Sequence, residues 1–239
     1  MTPPMFRVAS DAVGAALVTL DGPEGHHAAT VRRLGVGEDL WLTDGLGTRG
    51  VGAVEAVRRG ELDVRVTDWA TDDPPVPRLV AVQALAKGGR DEAAVEAMTE
   101  LGVDEIVAWC ASRSIAKPTD RTAAKWQSTA DAAARQSRRT WWPRVTGTIS
   151  AKDVAARVAQ ADVGLVLHEA ATVSLSGVDL AGAREVLIVV GPEGGITEDE
   201  LAAMTDAGAR PVKLGTTVLR SSTAGVAALS AICARTRWA

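Results

Sequence analysis

The sequence of 239 residues has few cysteines, no long apolar run and no secretory signal pattern, which argues against disulfide-rich, membrane-spanning and secreted proteins. Two cysteines are too few for a disulfide framework or a cysteine metal cluster. No apolar run approaches the roughly 20 residues that span a bilayer. The first residues, MTPPMFR, lack the basic-then-apolar pattern of a secretory signal. We therefore expect a cytoplasmic protein that holds no metal and contacts no membrane.

The common catalytic motifs are also absent. The chain has three histidines and contains no G-x-S-x-G, H-E-x-x-H or Walker sequence. Any chemistry then has to come from backbone groups and a bound cofactor. With no tyrosine and one phenylalanine, seven tryptophans carry the aromatic surface. The adjacent pair Trp141 and Trp142 is typical either of a core anchor or of a platform that stacks an unpaired base.

Charge is unevenly distributed along the chain. The net charge of −4 argues against a nucleic-acid partner. Between Arg113 and Arg144, however, eight arginines and lysines face two aspartates, which gives this stretch +6 and leaves −10 elsewhere. A local basic patch can bind one anionic ligand surface without making the whole protein bind nucleic acid non-specifically. A solvated helix face explains the pattern as well.

A proline-rich connector at residues 71–77 (TDDPPVP) divides the chain. Before it, short apolar stretches between Asp-Gly turns predict a small β-barrel or sandwich with one short helix near residues 26–34. After it, apolar strands at residues 79–85, 163–168 and 186–190 alternate with helices, which predicts an α/β domain with a mostly parallel sheet. We expect domains over residues 1–73 and 78–239.

Three segments follow predicted strands, where α/β sheets bind ligands. They are LHE at 167–169, GPEGG at 191–195 and LGTTVLRSSTA at 214–224. Alone, a glycine loop is as typical of a tight turn or a phosphate cradle as of a cofactor site. Glu193 would repel a phosphate, so adenosine and a sulfonium cation fit this loop better.

Together, these segments resemble the SPOUT methyltransferases, and within them the RsmE family of 16S rRNA uridine-N3 methyltransferases. Further similar motifs are KGGR at 87–90, ELG at 100–102, Arg113-Ser114 and QSRR at 136–139 followed by Pro143. His27, VRR at 31–33 and Asp44-Gly45 resemble the pattern of the family's N-terminal PUA-like barrel. The resemblance covers most of the chain.

The resemblance implies a C-terminal SPOUT α/β domain with a deep trefoil knot and a small N-terminal PUA-like β-barrel that binds RNA. It implies S-adenosylmethionine as cofactor, the 16S rRNA of the small ribosomal subunit as substrate, and a homodimer. Arg220 is the candidate catalytic residue. The implied cofactor-binding residues are Leu167, His168, Glu169, Gly191, Glu193, Gly195, Ile196, Leu214, Gly215, Leu219 and Thr223. The candidate RNA-binding residues are Arg7, Arg33, Arg113, Lys117, Arg138 and Arg139.

The sequence departs from the family pattern at several positions. Ser222 stands where a glutamate is common, so the proton acceptor is unassigned, while Arg135 and Arg32 replace a glutamate and a leucine. Arg220 has a structural alternative, in which it pairs with Glu193 or with helix carbonyls. Two rival functions stay open. One is methylation of a ribose 2′-hydroxyl or a tRNA base, and the other is RNA binding without catalysis.

Overall fold

The computed structural model describes residues 2–239, which form two compact units. The first runs to Pro74 and also includes Ala134–Trp142. The second comprises Pro75–Ala133 and Pro143–Ala239. No helix in the described part of the chain is long and apolar enough to cross a membrane. Within the same residues, no cluster of three or more histidine, cysteine or acidic side chains is placed to hold a metal ion.

The first unit is built on a five-stranded sheet in the order β1-β3-β4-β5-β2. Its strands are β1 (Met5–Arg7), β2 (Leu17–Leu20), β3 (Asp39–Thr43), β4 (Thr48–Arg58) and β5 (Glu61–Thr71). Neighbours are antiparallel except β1 and β3. A short helix, α1 (Gly22–His26), continues into a π-helical turn, His27–Val31. The prediction of a small β domain with one short helix is confirmed.

The tryptophan pair anchors Ala134–Trp142 within this unit. The Trp141 indole donates to the carbonyl of Asp72 at 3.1 Å. Gly47 has φ +101°, and a Cβ there would lie 2.6 Å from the Trp141 ring, so only glycine fits. The Trp142 ring lies 5.1 Å from the guanidinium carbon of Arg7 and 5.5 Å from that of Arg135. These contacts fit the anchor interpretation of the tryptophan pair.

The second unit carries a six-stranded parallel sheet in the order β11-β9-β10-β6-β7-β8. Its strands are β6 (Arg78–Ala84), β7 (Glu105–Trp109), β8 (Arg144–Ile149), β9 (Val163–Leu167), β10 (Glu185–Val190) and β11 (Arg210–Val212). Its helices are α2 (Arg90–Glu100), α3 (Thr122–Gln136, whose last residues group with the first unit), α4 (Ala151–Val158), α5 (Glu198–Asp206) and α6 (Ser221–Cys233). The prediction of an α/β domain with a mostly parallel sheet is confirmed.

Helices cover both faces of this sheet, which explains the unbroken apolar strands. Along β10, Ile188 belongs to a core cluster that includes Met98 of α2. The next residue, Val189, belongs to a second cluster that includes Met204 of α5. Successive side chains of a strand point to opposite faces, so both faces must be apolar to be buried. The trefoil knot stays a prediction.

Helix α3 is bounded by a turn at each end. The Thr119 amide donates to the Thr122 hydroxyl at 2.9 Å, and α3 begins at Thr122. At the other end, Arg138 has φ +57°, a left-handed conformation that cannot continue a helix. Its amide donates to Arg135, and that of Arg139 donates to Ala134, which closes the last turn.

Candidate active site

A cavity of about 620 Å³ lies at the carboxyl ends of β9, β10 and β11. The three neighbouring strands bring together the three segments that sequence reasoning selected. Ten of the eleven candidate cofactor residues line it. They are Leu167, His168, Glu169, Gly191, Glu193, Gly195, Ile196, Leu214, Gly215 and Leu219. Thr223, the eleventh, is not among the lining residues.

The glycine loop after β10 is shaped by two close contacts. A Cβ on Gly191 would lie 2.7 Å from Cγ1 of Ile196, so the side chain of Ile196 packs directly on the Gly191 backbone. Gly195 has φ +75°, and its amide donates to the carbonyl of Pro192 at 3.0 Å. The loop then enters α5 through a capping box, in which Thr197 and Glu200 bond each other's backbone amides.

The third segment, at 214–224, places at the cavity backbone N–H groups that have no hydrogen-bond partner among the described residues. The N–H groups of residues 214–219 donate to no other backbone group within residues 2–239. Because these residues line the cavity, their amides are available to a ligand. The segment ends at Arg220, whose carbonyl accepts from the amides of Thr223 and Ala224 at 2.8 and 2.9 Å and starts α6. The amide of Thr223 therefore forms part of the first turn of α6, and Thr223 does not line the cavity.

Charges of both signs line the cavity. The cations are Arg113, Lys213 and Arg220, and the carboxylates are Glu169, Glu193 and Glu198. Glu193 pairs with Arg90, with 3.3 Å between Oε1 and the guanidinium, and accepts from the Lys87 amide at 3.4 Å. The Arg220 side chain makes no hydrogen bond or ion pair within the described chain. Its pairing with Glu193, the structural alternative, is thus not observed.

His168 forms part of the wall. Its amide donates to the Val212 carbonyl at 2.9 Å, and its Nδ1 accepts from the Ala170 amide at 3.2 Å. Because Nδ1 accepts, a neutral ring carries its proton on Nε2. These contacts hold the ring at the end of β9, in agreement with the expected role as a pocket wall.

The candidate RNA-binding residues are distributed over both units. Arg113 lines the cavity and donates to the Gly194 carbonyl at 3.4 Å, while Lys117 is exposed in the same loop. Arg7, Arg33, Arg138 and Arg139 belong to the first unit. Arg138 donates to the carbonyls of Pro3 and Thr2 at 3.1 and 3.3 Å. Arg33 is exposed in a left-handed conformation, φ +56°.

Sequence reasoning missed a buried glutamine beneath the cavity. Gln83 is fully buried at the end of β6, and its amide nitrogen donates to the hydroxyl of Ser221 at 2.9 Å. Ser221 lines the cavity and follows Arg220 at the start of α6. The signal was a single amide within the apolar run LVAVQA of β6. Nothing in the sequence indicated its partner 138 residues away.

An ion network occupies a second cleft, of about 420 Å³, whose lining includes Arg78, Glu105 and Glu185 from the amino ends of β6, β7 and β10. The carboxylate of Glu105 is buried and bonds Thr146, Arg157 and Arg78. Burial alone would raise the pKa of Glu105, but these hydrogen bonds outweigh burial and hold the pKa below its ordinary value. This network ties the strands together at the end of the sheet opposite the cavity.

Family models match most of the chain. One, described as the RNA methyltransferase domain, matches residues 72–233, and another, the RNA methyltransferase PUA domain, matches residues 20–67. Together with the parallel sheet and its cavity, these matches define an RNA methyltransferase with an N-terminal PUA domain.

Relatives identify the family. The chain is 46% identical to ribosomal RNA small subunit methyltransferase E of Mycobacterium tuberculosis, over 93% of this chain and 88% of the relative. It is 30% identical to the Bacillus subtilis protein of the same name, over 93% and 91%. The chain therefore belongs to the ribosomal RNA small subunit methyltransferase E family, RsmE. A methyltransferase of Legionella pneumophila, solved with bound S-adenosylmethionine, superposes with a TM-score of 0.89 at 26% identity over 98% of both chains.

Proposed function

We propose that this protein transfers the methyl group of S-adenosylmethionine to N3 of a uridine in the 16S rRNA of the small ribosomal subunit. The observation that carries the proposal is the cavity beyond β9, β10 and β11. It joins the three segments whose sequence resembles the family's cofactor site. The names of the relatives supply the substrate class, since each relative is a small-subunit rRNA methyltransferase.

The lining fits S-adenosylmethionine in size and chemistry. Ligand cavities of about 300–1,000 Å³ hold molecules of this size, and the volume here is about 620 Å³. Leu167, Ile196 and Leu214 offer apolar walls to an adenine ring. The unpaired amides of residues 214–219 offer donors to its edge. Charges of both signs on the wall suit a ligand that carries both a sulfonium and ammonium cation and a carboxylate, as S-adenosylmethionine does.

When bound, S-adenosylmethionine supplies a methyl group on a sulfonium, and this chain positions the acceptor. Uridine N3 carries a weakly acidic proton, so negative charge develops on the uracil as N3 loses it. Arg220 lies at the cavity wall with an unpaired guanidinium, at the positive amino end of α6. We assign it the stabilisation of that charge. Ser222, in the first turn of α6, replaces the glutamate common in the family and has no carboxylate, so the N3 proton passes to solvent water, which reaches the exposed residues 216–220 of the cavity wall.

Further roles fall to the two domains, to six basic residues and to a second copy of the chain. Residues 1–73 act as the RNA-binding domain and residues 78–239 as the methyltransferase domain, which the two family models support. Arg7, Arg33, Arg113, Lys117, Arg138 and Arg139 contact RNA phosphates. The protein works in the cytoplasm as a homodimer. The resemblance to the family, whose members act as homodimers, supports the second copy.

The test combines binding with turnover. Calorimetry should detect S-adenosylmethionine binding by the wild-type protein, and absence of binding would refute the enzyme assignment in favour of RNA binding without catalysis. Arg220→Ala should lower kcat for methylation of small subunits by about 100-fold, the loss typical of removing one charge-stabilising donor. Its affinity for the cofactor should change little. Arg210→Ala, an exposed arginine of the same unit outside the cavity, is the matched control.

A further inference from the structure

One carboxylate holds two loops of the cavity together. Glu200 is 5% exposed and lies in the first turn of α5. Its Oε2 accepts from the amide and hydroxyl of Thr197, both at 3.0 Å, which caps the helix. Its Oε1 accepts from the amide and hydroxyl of Ser112, at 2.7 and 2.8 Å. The second pair of bonds reaches a loop 88 residues away in sequence.

Helix capping alone does not need the second oxygen. Helix α4 also begins with a capping box, in which Ser150 donates its amide and hydroxyl to one oxygen of Asp153, at 3.1 and 2.7 Å. A shorter carboxylate with one engaged oxygen therefore caps a helix of this domain. Asp153 is exposed, whereas Glu200 is buried and bonds Ser112 as well.

The residue after Ser112 is the cavity residue Arg113. Its guanidinium donates to the Gly194 carbonyl at 3.4 Å. Gly194 packs so tightly on this loop that a Cβ would lie 2.9 Å from both Cβ and the carbonyl oxygen of Arg113. Glu200 thus holds the loop that contains Arg113 by its bonds to Ser112, and Gly194 packs against the same loop at Arg113. Burial alone would raise the pKa of Glu200, but the bonds from Thr197 and Ser112 outweigh burial and lower it, so the carboxylate stays charged at neutral pH.

We infer that Glu200 is a positioning residue that, through Ser112, holds Arg113 at the cavity mouth for the RNA substrate. The inference rests on the proposed function. Glu200 touches neither the cavity nor the substrate itself, because it is not among the lining residues. Its effect on the reaction passes through the position of the Arg113 guanidinium.

Glu200→Asp separates the two tasks of this carboxylate. The side chain is shorter by one C–C bond, about 1.5 Å. It still caps α5, as Asp153 caps α4, but no longer reaches Ser112. Hydrogen exchange of the peptide covering residues 110–117 should become about tenfold faster or more, since its Ser112 amide loses a charged acceptor. Asp153→Ala, which removes the side-chain acceptor from the cap of α4 away from the cavity, should leave that exchange unchanged.

Turnover gives the second readout. Glu200→Asp should lower kcat/KM for small subunits about tenfold, and Arg113→Ala should do the same or more. The double variant should match Arg113→Ala within about twofold, because residues that act through one group are not additive. Wild-type exchange and kcat/KM in Glu200→Asp would overturn the inference, as would a double variant whose loss is the product of both single losses. If the wild-type protein does not methylate small subunits, the proposed function fails, and exchange still decides whether Glu200 holds the loop.

Discussion

Replacing Gly194 with alanine places a methyl group where the loop of Arg113 already lies. The new Cβ would lie 2.9 Å from both Cβ and the carbonyl oxygen of Arg113, closer than any van der Waals contact between such atoms. The loop cannot retreat freely, because the neighbouring Ser112 is bound to Glu200 through its own amide. Overpacking of this kind costs about 1–3 kcal/mol. We expect that cost to divide between a lower free energy of unfolding and displacement of Arg113.

Urea unfolding followed by tryptophan fluorescence measures the first part, and kcat/KM for small subunits measures the second. Gly147→Ala is the matched control, because a Cβ there meets nothing within 4 Å and the φ of Gly147 is ordinary. That change should be neutral or should stabilise by about 0.4–1 kcal/mol. If Gly194→Ala behaved like Gly147→Ala in both assays, the close packing of the two loops would be refuted.

Two further predictions concern stability. The pKa of Glu105 is lowered in the folded protein, so its ionised carboxylate adds to the free energy of unfolding. This contribution is fully present above the ordinary pKa of about 4.5 and is lost as pH falls through the lower pKa of the folded state. Urea unfolding between pH 6 and pH 3 should therefore show a steeper loss for the wild type than for Glu105→Gln, and equal slopes would contradict the network. Trp141→Ala removes the ring that packs on Gly47 and the bond to Asp72, and should destabilise the first unit by about 2–4 kcal/mol. Thermal unfolding that matches the wild type would show that Trp141 anchors nothing.

Much of the second unit could be predicted because its signals are local. The strands β6, β9 and β10 are nearly continuous apolar runs, and α5 begins with a capping box written in four consecutive residues. Ligand sites in such sheets lie at the carboxyl ends of strands, so these strands indicated where the cavity would be. The individual cofactor residues were implied by the resemblance to the family, and ten of the eleven line the cavity.

The elements that were missed lack such signals. Strand β8 (RVTGTI) lies at the edge of the sheet and has no fully buried residue. Its sequence therefore needs no apolar run, and it gives no signal of a buried strand. Strand β11 has three residues and contains Pro211, which argues against a strand. The grouping of Ala134–Trp142 with the first unit depends on contacts such as that of Trp141 with Gly47. No periodicity encodes contacts between residues so far apart in the chain.

Pairings across long sequence separations also determine the finer parts of the site. Sequence reasoning treated Arg113 as an RNA contact, and this description omits the bonds that tie the neighbouring Ser112 to Glu200. Likewise, Glu193 was read for its effect on a ligand, whereas its carboxylate also pairs with Arg90 of the KGGR segment. In each case the residue type indicated a role, but the sequence did not indicate the partner.

The proposed reaction is methyl transfer to N3 of a uridine in small-subunit rRNA. The most direct measurement incubates the purified protein with S-adenosylmethionine and small ribosomal subunits from a strain that lacks the corresponding gene. The rRNA is then digested, and its nucleosides are identified by mass spectrometry. We expect 3-methyluridine as the new product, formed by the wild type and strongly reduced with Arg220→Ala. A 2′-O-methylated nucleoside, or no methylated product, would contradict this proposal.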